Sequence, residues 1–161
     1  MDIRQMQEHW EREHFSPYAA FSDSSMGRDI REPECDIRTI YQRDKDRILH
    51  CKSFRRLKHK TQVFFNIDND HICTRMEHVQ HVESVSCTIA KFLGLNVDLT
   101  RAIAMGHDLG HAPFGHEGEV ELTRIRKDFG MDRFWHERNS LRIIDNIELL
   151  EDDKSELKNL D

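Results

Sequence analysis

Apolar and polar positions along the chain fall into helical runs joined by polar loops. The first 35 residues are polar and irregular, with Ser16-Pro17, Ser22-Asp23-Ser24-Ser25 and Gly27 as turn signals. That stretch predicts one short helix over about Met6 to His14, then an arm across the surface. From Asp36, read as an N-cap, Ile37, Tyr41, Ile48, Cys51, Phe54 and Leu57 recur at roughly helical spacing. Val63, Phe64, Phe65 and Ile67 break the period beside Asn66-Ile67-Asp68-Asn69-Asp70, which predicts a short extended piece and a turn over Thr61 to Cys73. Val82, Val85, Ile89, Phe92 and Leu93 then form one helical face, with Gly94 suited to C′. Asp98 is read as the cap of a short helix carrying Leu99, Ala102, Ile103 and Met105. A glycine-punctuated loop from Gly106 to Gly115 leads into a helix from about His116 to Asp128. It stops at Gly130, and Arg126 and Lys127 occupy the last turn, where the helix dipole favours cations. A final helix is predicted from about Glu137 to Glu151 on the period of Leu141, Ile144, Ile147 and Leu150 or Glu151. No convincing sheet pattern occurs, so the expected fold class is all-α.

A length of 161 residues suits one domain with a sizeable core. The expected division is an N-terminal arm over 1–35 and a main domain over 36–161. No apolar run exceeds four residues, which excludes a membrane-spanning helix, and the start of the chain has no apolar secretory segment. A cytoplasmic location is expected. Cys35, Cys51, Cys73 and Cys87 lie far apart with no C-x-x-C, which fits reduced packing residues rather than a zinc ribbon or redox pair. The net charge of −6 is unevenly spread. Residues 36–60 hold nine Lys/Arg against three Asp, and residues 145–161 hold seven Asp/Glu against two Lys. One basic stretch in an acidic protein points to a local anion site more than to a nucleic-acid surface.

The chemistry concentrates in the eleven histidines. Adjacent His107 and Asp108 at a helix end can aim an imidazole nitrogen and a carboxylate oxygen at one cation. Such a mixed N/O pair suits a divalent ion, with magnesium, manganese, iron, cobalt, nickel and zinc left open. His78, opening an earlier helix in Arg75-Met76-Glu77-His78, is the expected third ligand. His116 and Glu119 stand three apart at a helix start, close enough to touch. A carboxylate beside an imidazole favours its protonated form, which a general acid needs. A capping interaction with a solvated charge pair explains the same two residues. Arg55, Arg56, Lys58 and Lys60 read either as phosphate contacts or as a solvated helix end.

These residues also carry a resemblance. The order His78, then His107-Asp108, resembles the HD-domain metal phosphohydrolases. The string His107-Asp108-Leu109-Gly110-His111-Ala112-Pro113-Phe114-Gly115-His116-Glu117-Gly118-Glu119 resembles their deoxyguanosine triphosphate triphosphohydrolase branch. So do the segments Tyr41 to His50, Phe54 to Phe64, Thr74 to His78 and Ser16 to Ala20, and together they cover about residues 15–150. The resemblance implies His78, His107 and Asp108 as metal ligands. It implies His116 as the catalytic histidine with Glu119 orienting it, Arg75 and His111 on the triphosphate, and Gln62 on the deoxyribose. Phe134 to Ser140 resembles a later phosphate-side motif, which puts His136 at the site; bacterial members often have Asn next, where this chain has Glu137.

The implied fold is an HD-domain helical bundle lacking the family's C-terminal helices. The pattern's final Asp ligand belongs to a later helix, and Asp145, Asp152 and Asp153 do not match it. The chain therefore reads as the N-terminal part of a longer protein, with weak metal binding and impaired turnover expected. The implied reaction is metal-dependent hydrolysis of a deoxynucleoside triphosphate to deoxynucleoside and tripolyphosphate, in a protein that is homo-oligomeric at full length. Another HD-type nucleotide phosphohydrolase and a non-catalytic metal- or nucleotide-binding fragment stay open as alternatives.

Overall fold

The computed structural model describes residues 1–27, 32–60 and 73–148. Among them every extended run of regular structure is helical, and the fold is all-α. The α-helices are α1 (Ile3–His14), α2 (Ile40–His50), α3 (Lys52–Arg56), α4 (Arg75–Phe92), α5 (Val97–Gly106), α6 (Gly115–Asp128) and α7 (His136–Arg142). The expected extended piece at residues 61–72, and the end of the final helix beyond residue 148, lie outside the described residues. Two compact units are formed, Met1–Arg47 with Val82–Ala104, and Ile48–His81 with Met105–Asp161.

In the first unit α1 begins three residues earlier than its apolar period suggests, because Asp2 and Gln5 form a capping box. The Asp2 carboxylate accepts from the Gln5 amide at 2.7 Å, and the Gln5 side chain accepts from the Asp2 amide at 3.0 Å. Capping also moves two other helix starts. Buried Thr39, not Asp36, opens α2 through a reciprocal pair with Gln42. Asn96, not Asp98, opens α5 by accepting from the Leu99 amide, which leaves Asp98 to accept from the Gln42 side chain. Part of the basic stretch is spent internally: buried Arg43 and Arg47 both donate to Glu32 at 2.9 and 2.7 Å. The apolar face expected on α4 is not the covered one. Val85, Ile89, Phe92 and Leu93 are exposed, while Cys87 and Ala90 are buried.

In the second unit the long helix expected from Asp36 to Leu57 is interrupted at Cys51. The Cys51 backbone turns extended, and its sulfur accepts from the Phe54 amide to start α3. Glu148 closes over the same helix start, accepting from the Ser53 amide at 2.7 Å. The helix beginning at His136 is likewise short. It ends at Arg142 in a π-turn over Ile143–Ile147, and Leu141 and Ile147 are exposed. Leu57, Val79 and Leu109 are fully buried here, each contributing about 1.5–3 kcal/mol of apolar burial.

Candidate metal centre

All the site residues that the structure describes belong to the second unit. A capping box starts α4: the Thr74 hydroxyl accepts from the Glu77 amide, and Glu77 accepts from the Thr74 amide. That start places Arg75 and His78 in the helix's first turn. At the other edge α5 ends at Gly106, and a tight turn follows. Leu109 donates to the Gly106 carbonyl and His111 to the Asp108 carbonyl. The turn thus presents His107, Asp108 and His111 within five residues.

His78, His107 and Asp108 offer ligand atoms that all lie within 4.8 Å of one another. The two imidazoles sit edge to face with centroids 5.6 Å apart. The Asp108 oxygens have separate partners. Oδ2 accepts from Arg75 Nη1 at 2.8 Å in an ion pair whose side chains are 5% exposed or less, and Oδ1 lies 3.5 Å from His107 Nε2. Burial pushes the Asp108 carboxyl up, but His107 and Arg75 outweigh it and hold it below the usual carboxylate range. An ionised carboxylate and two imidazoles form a donor set that fits a divalent cation.

A second cluster adjoins the first. His111 stacks on His136 with centroids 4.6 Å apart and meets His116 edge-on at 5.1 Å. It is buried, and its Nδ1 has no hydrogen-bond partner among the described residues. Burial, reinforced by the Arg75 charge, pulls the His111 imidazole down to about 4. Lys60 donates to the His111 carbonyl at 3.1 Å, and burial lowers its ammonium too. Of the four basic residues weighed after Phe54, this one is therefore turned inward.

Glu119 serves two histidines unequally. It accepts from the His136 amide at 3.1 Å and from His136 Nδ1 at 2.9 Å, while His116 Nδ1 lies 3.8 Å away. A carboxylate only accepts, so His136 carries its hydrogen on Nδ1. Burial raises the Glu119 carboxyl, and the two His136 bonds more than reverse this. The His116 side chain is 79% exposed. Glu119 and His136 also wall an open cavity of about 620 Å³ shared with Arg133, Phe134 and Trp135. Gln62 lies outside the described residues.

The HD domain family matches residues 75–160, a span that holds both clusters. The chain belongs to the HD-domain family. It is also homologous to the N-terminal part of proteins described as deoxyguanosinetriphosphate triphosphohydrolase-like. Identity is 50% to the one from Caldanaerobacter subterraneus, over 92% of this chain and 42% of the relative. For the relative from Desulfatibacillum aliphaticivorans the figures are 49%, 92% and 41%, and for Clostridium tetani 45%, 92% and 41%. The chain thus spans about two fifths of the length of these curated relatives. Within this HD domain, reading of the sequence missed the partners that α7 supplies to the turn, namely Asn139 and Ser140. The Asn139 side chain donates to the Gly110 carbonyl, and the Ser140 hydroxyl contacts both His107 and Gly110. The signal for them was their place in the Phe134 to Ser140 segment, three and four residues after His136. No helix of the described residues is long and apolar enough to cross a membrane.

Proposed function

We propose that this chain carries the catalytic half-site of a metal-dependent deoxynucleoside triphosphate hydrolase that releases deoxynucleoside and tripolyphosphate. The convergence of His78, His107 and Asp108 beside a second histidine cluster is the observation that carries the reading. These three residues hold the divalent ion, which when bound supplies a Lewis acid and a template for phosphoryl transfer. Arg75 is the fixed positive charge for the triphosphate, oriented by Asp108. His111 and His136 line the triphosphate path as stacked hydrogen-bonding groups. His116, exposed toward solvent, protonates the 5′ oxygen as the bond to the α-phosphorus breaks. The oxygen of water ends on that phosphorus. Glu119 holds His136 by hydrogen bonds and, from 3.8 Å, sets the charge beside His116 that orients it once substrate is bound, and Gln62 contacts the deoxyribose. The full-length protein acts as a homo-oligomer.

The products decide the matter. With dGTP and manganese, ion chromatography is expected to show deoxyguanosine and tripolyphosphate in equal amounts. Release of pyrophosphate, or of orthophosphate alone, overturns the reading in favour of another nucleotide phosphohydrolase. His116→Ala is expected to lower kcat more than it raises KM, as loss of an interaction made in the transition state requires.

A further inference from the structure

The turn that carries His107 and Asp108 is not held by its own helix alone. Ser140, on α7 and buried, accepts from the Gly110 amide at 2.9 Å and contacts the His107 carbonyl at 2.8 Å and its own helix's His136 carbonyl at 3.0 Å. Asn139 donates to the Gly110 carbonyl at 2.9 Å. Backbone groups at both ends of the turn are therefore satisfied by two consecutive side chains of one short helix. The approach is backbone against backbone. A Cβ on Gly110 would overlap Ser140 N, His136 O and the Asn139 carbonyl carbon. The other end of α7 is pinned by Glu119 through the His136 amide and imidazole.

We propose that Ser140 is the positioning residue of the metal centre, with Asn139 as its lesser partner. It fixes the His107 carbonyl and thereby the direction in which the His107 and Asp108 side chains leave the turn, and it registers that pair against His136. The inference rests on the ligand assignment made under Proposed function and deepens it. A hydroxyl has one hydrogen and accepts through its lone pairs. Ser140 can therefore bridge one carbonyl and the Gly110 amide at once, whereas alanine leaves the buried Gly110 amide without that partner and the part-buried His107 carbonyl without its donor. Outer partners that orient metal ligands typically change affinity by about 10- to 100-fold when removed.

Cobalt(II) alone, added to the whole chain and followed by its visible absorption, tests this. At cobalt in large excess, as a weakly binding three-ligand site requires, wild type is expected to develop bands that His78→Ala loses. Ser140→Ala is expected to weaken cobalt affinity about tenfold and alter band intensity at unchanged far-ultraviolet circular dichroism. Ser140→Thr, which keeps the hydroxyl, restores the wild-type bands. Asn139→Ala, on a less buried side chain, weakens affinity by a smaller factor and decides the question should Ser140→Ala fail to fold. Cys87→Ala, a buried change in the other unit, is expected to lower stability without moving cobalt affinity. Retained affinity and bands in Ser140→Ala, or in Asn139→Ala if that variant decides, overturn the positioning role and leave the ligand assignment standing. Bands that persist in His78→Ala, or never form in wild type, sink the ligand assignment and this inference with it.

Discussion

The two ends of the histidine-rich segment are built by opposite means. At Gly106–His111 the backbone is locked by a tight turn, by two side chains of α7 and by the buried Arg75–Asp108 pair. At Phe114–Glu119 the backbone turns left-handed twice in succession, at Phe114 and Gly115, and delivers an exposed His116 whose nearest carboxylate is committed to His136. The contrast matches the two tasks. Ligands to a cation need fixed directions, because coordination distances tolerate little error. A group that hands a proton to a leaving oxygen must be reachable and able to adjust.

Four substitutions sharpen or break this contrast, the first having the largest effect. Arg75→Met strands the Asp108 carboxylate in a buried site, and a stability loss of about 3–5 kcal/mol is expected in denaturant titrations. A loss below about 1 kcal/mol would mean that this end is more open to water than its burial implies. Gly110→Ala forces α7 off the turn, at an expected cost of about 2–3 kcal/mol with loss of cobalt binding. Glu119→Gln weakens its bonds to His136 at an expected cost of about 1 kcal/mol near pH 7.

The last of these has a pH signature. The Glu119 carboxyl titrates below its ordinary value in the folded chain, so its contribution is complete above the ordinary carboxylate range. It fades as pH falls through the folded value, where the bonds from the His136 amide and imidazole lose their ionised acceptor. Melts of the metal-free pair should therefore converge in acid; a gap that widens there contradicts the geometry. Phe114→Gly is the mildest change. The side chain is exposed and the backbone left-handed, so stability should hold or rise by up to about 1 kcal/mol. A large loss would show that the open end is as tightly built as the closed one.

What could be read from the linear pattern was chemistry and punctuation. His78, His107 and Asp108 stood out because imidazole beside carboxylate is hard to explain as packing, and Gly130 marked the end of α6. Faces and breaks were harder. The Val85, Ile89, Phe92 and Leu93 stripe has a helical period, but Cys87 and Ala90 are the side chains that become covered. Periodicity reports that an apolar stripe exists, not what packs on it. Cys51 interrupts a continuous helical pattern because its backbone turns extended and its sulfur caps the next helix.

Ser140 marks the limit. A serine in a helix reads as a neutral surface residue, and its partners are backbone groups, which every sequence possesses and none advertises. Residue types and local spacing alone determined that this chain is helical and that its imidazoles and carboxylates suit a divalent cation. Tertiary structure decided which carboxylate serves which histidine, that Arg75 takes one oxygen of Asp108, and that α7 steadies the ligand turn. The reason is physical: side-chain chemistry is local and survives in the one-dimensional order. Hydrogen bonds between residues 30 positions apart exist only once packing has excluded water and set the distances.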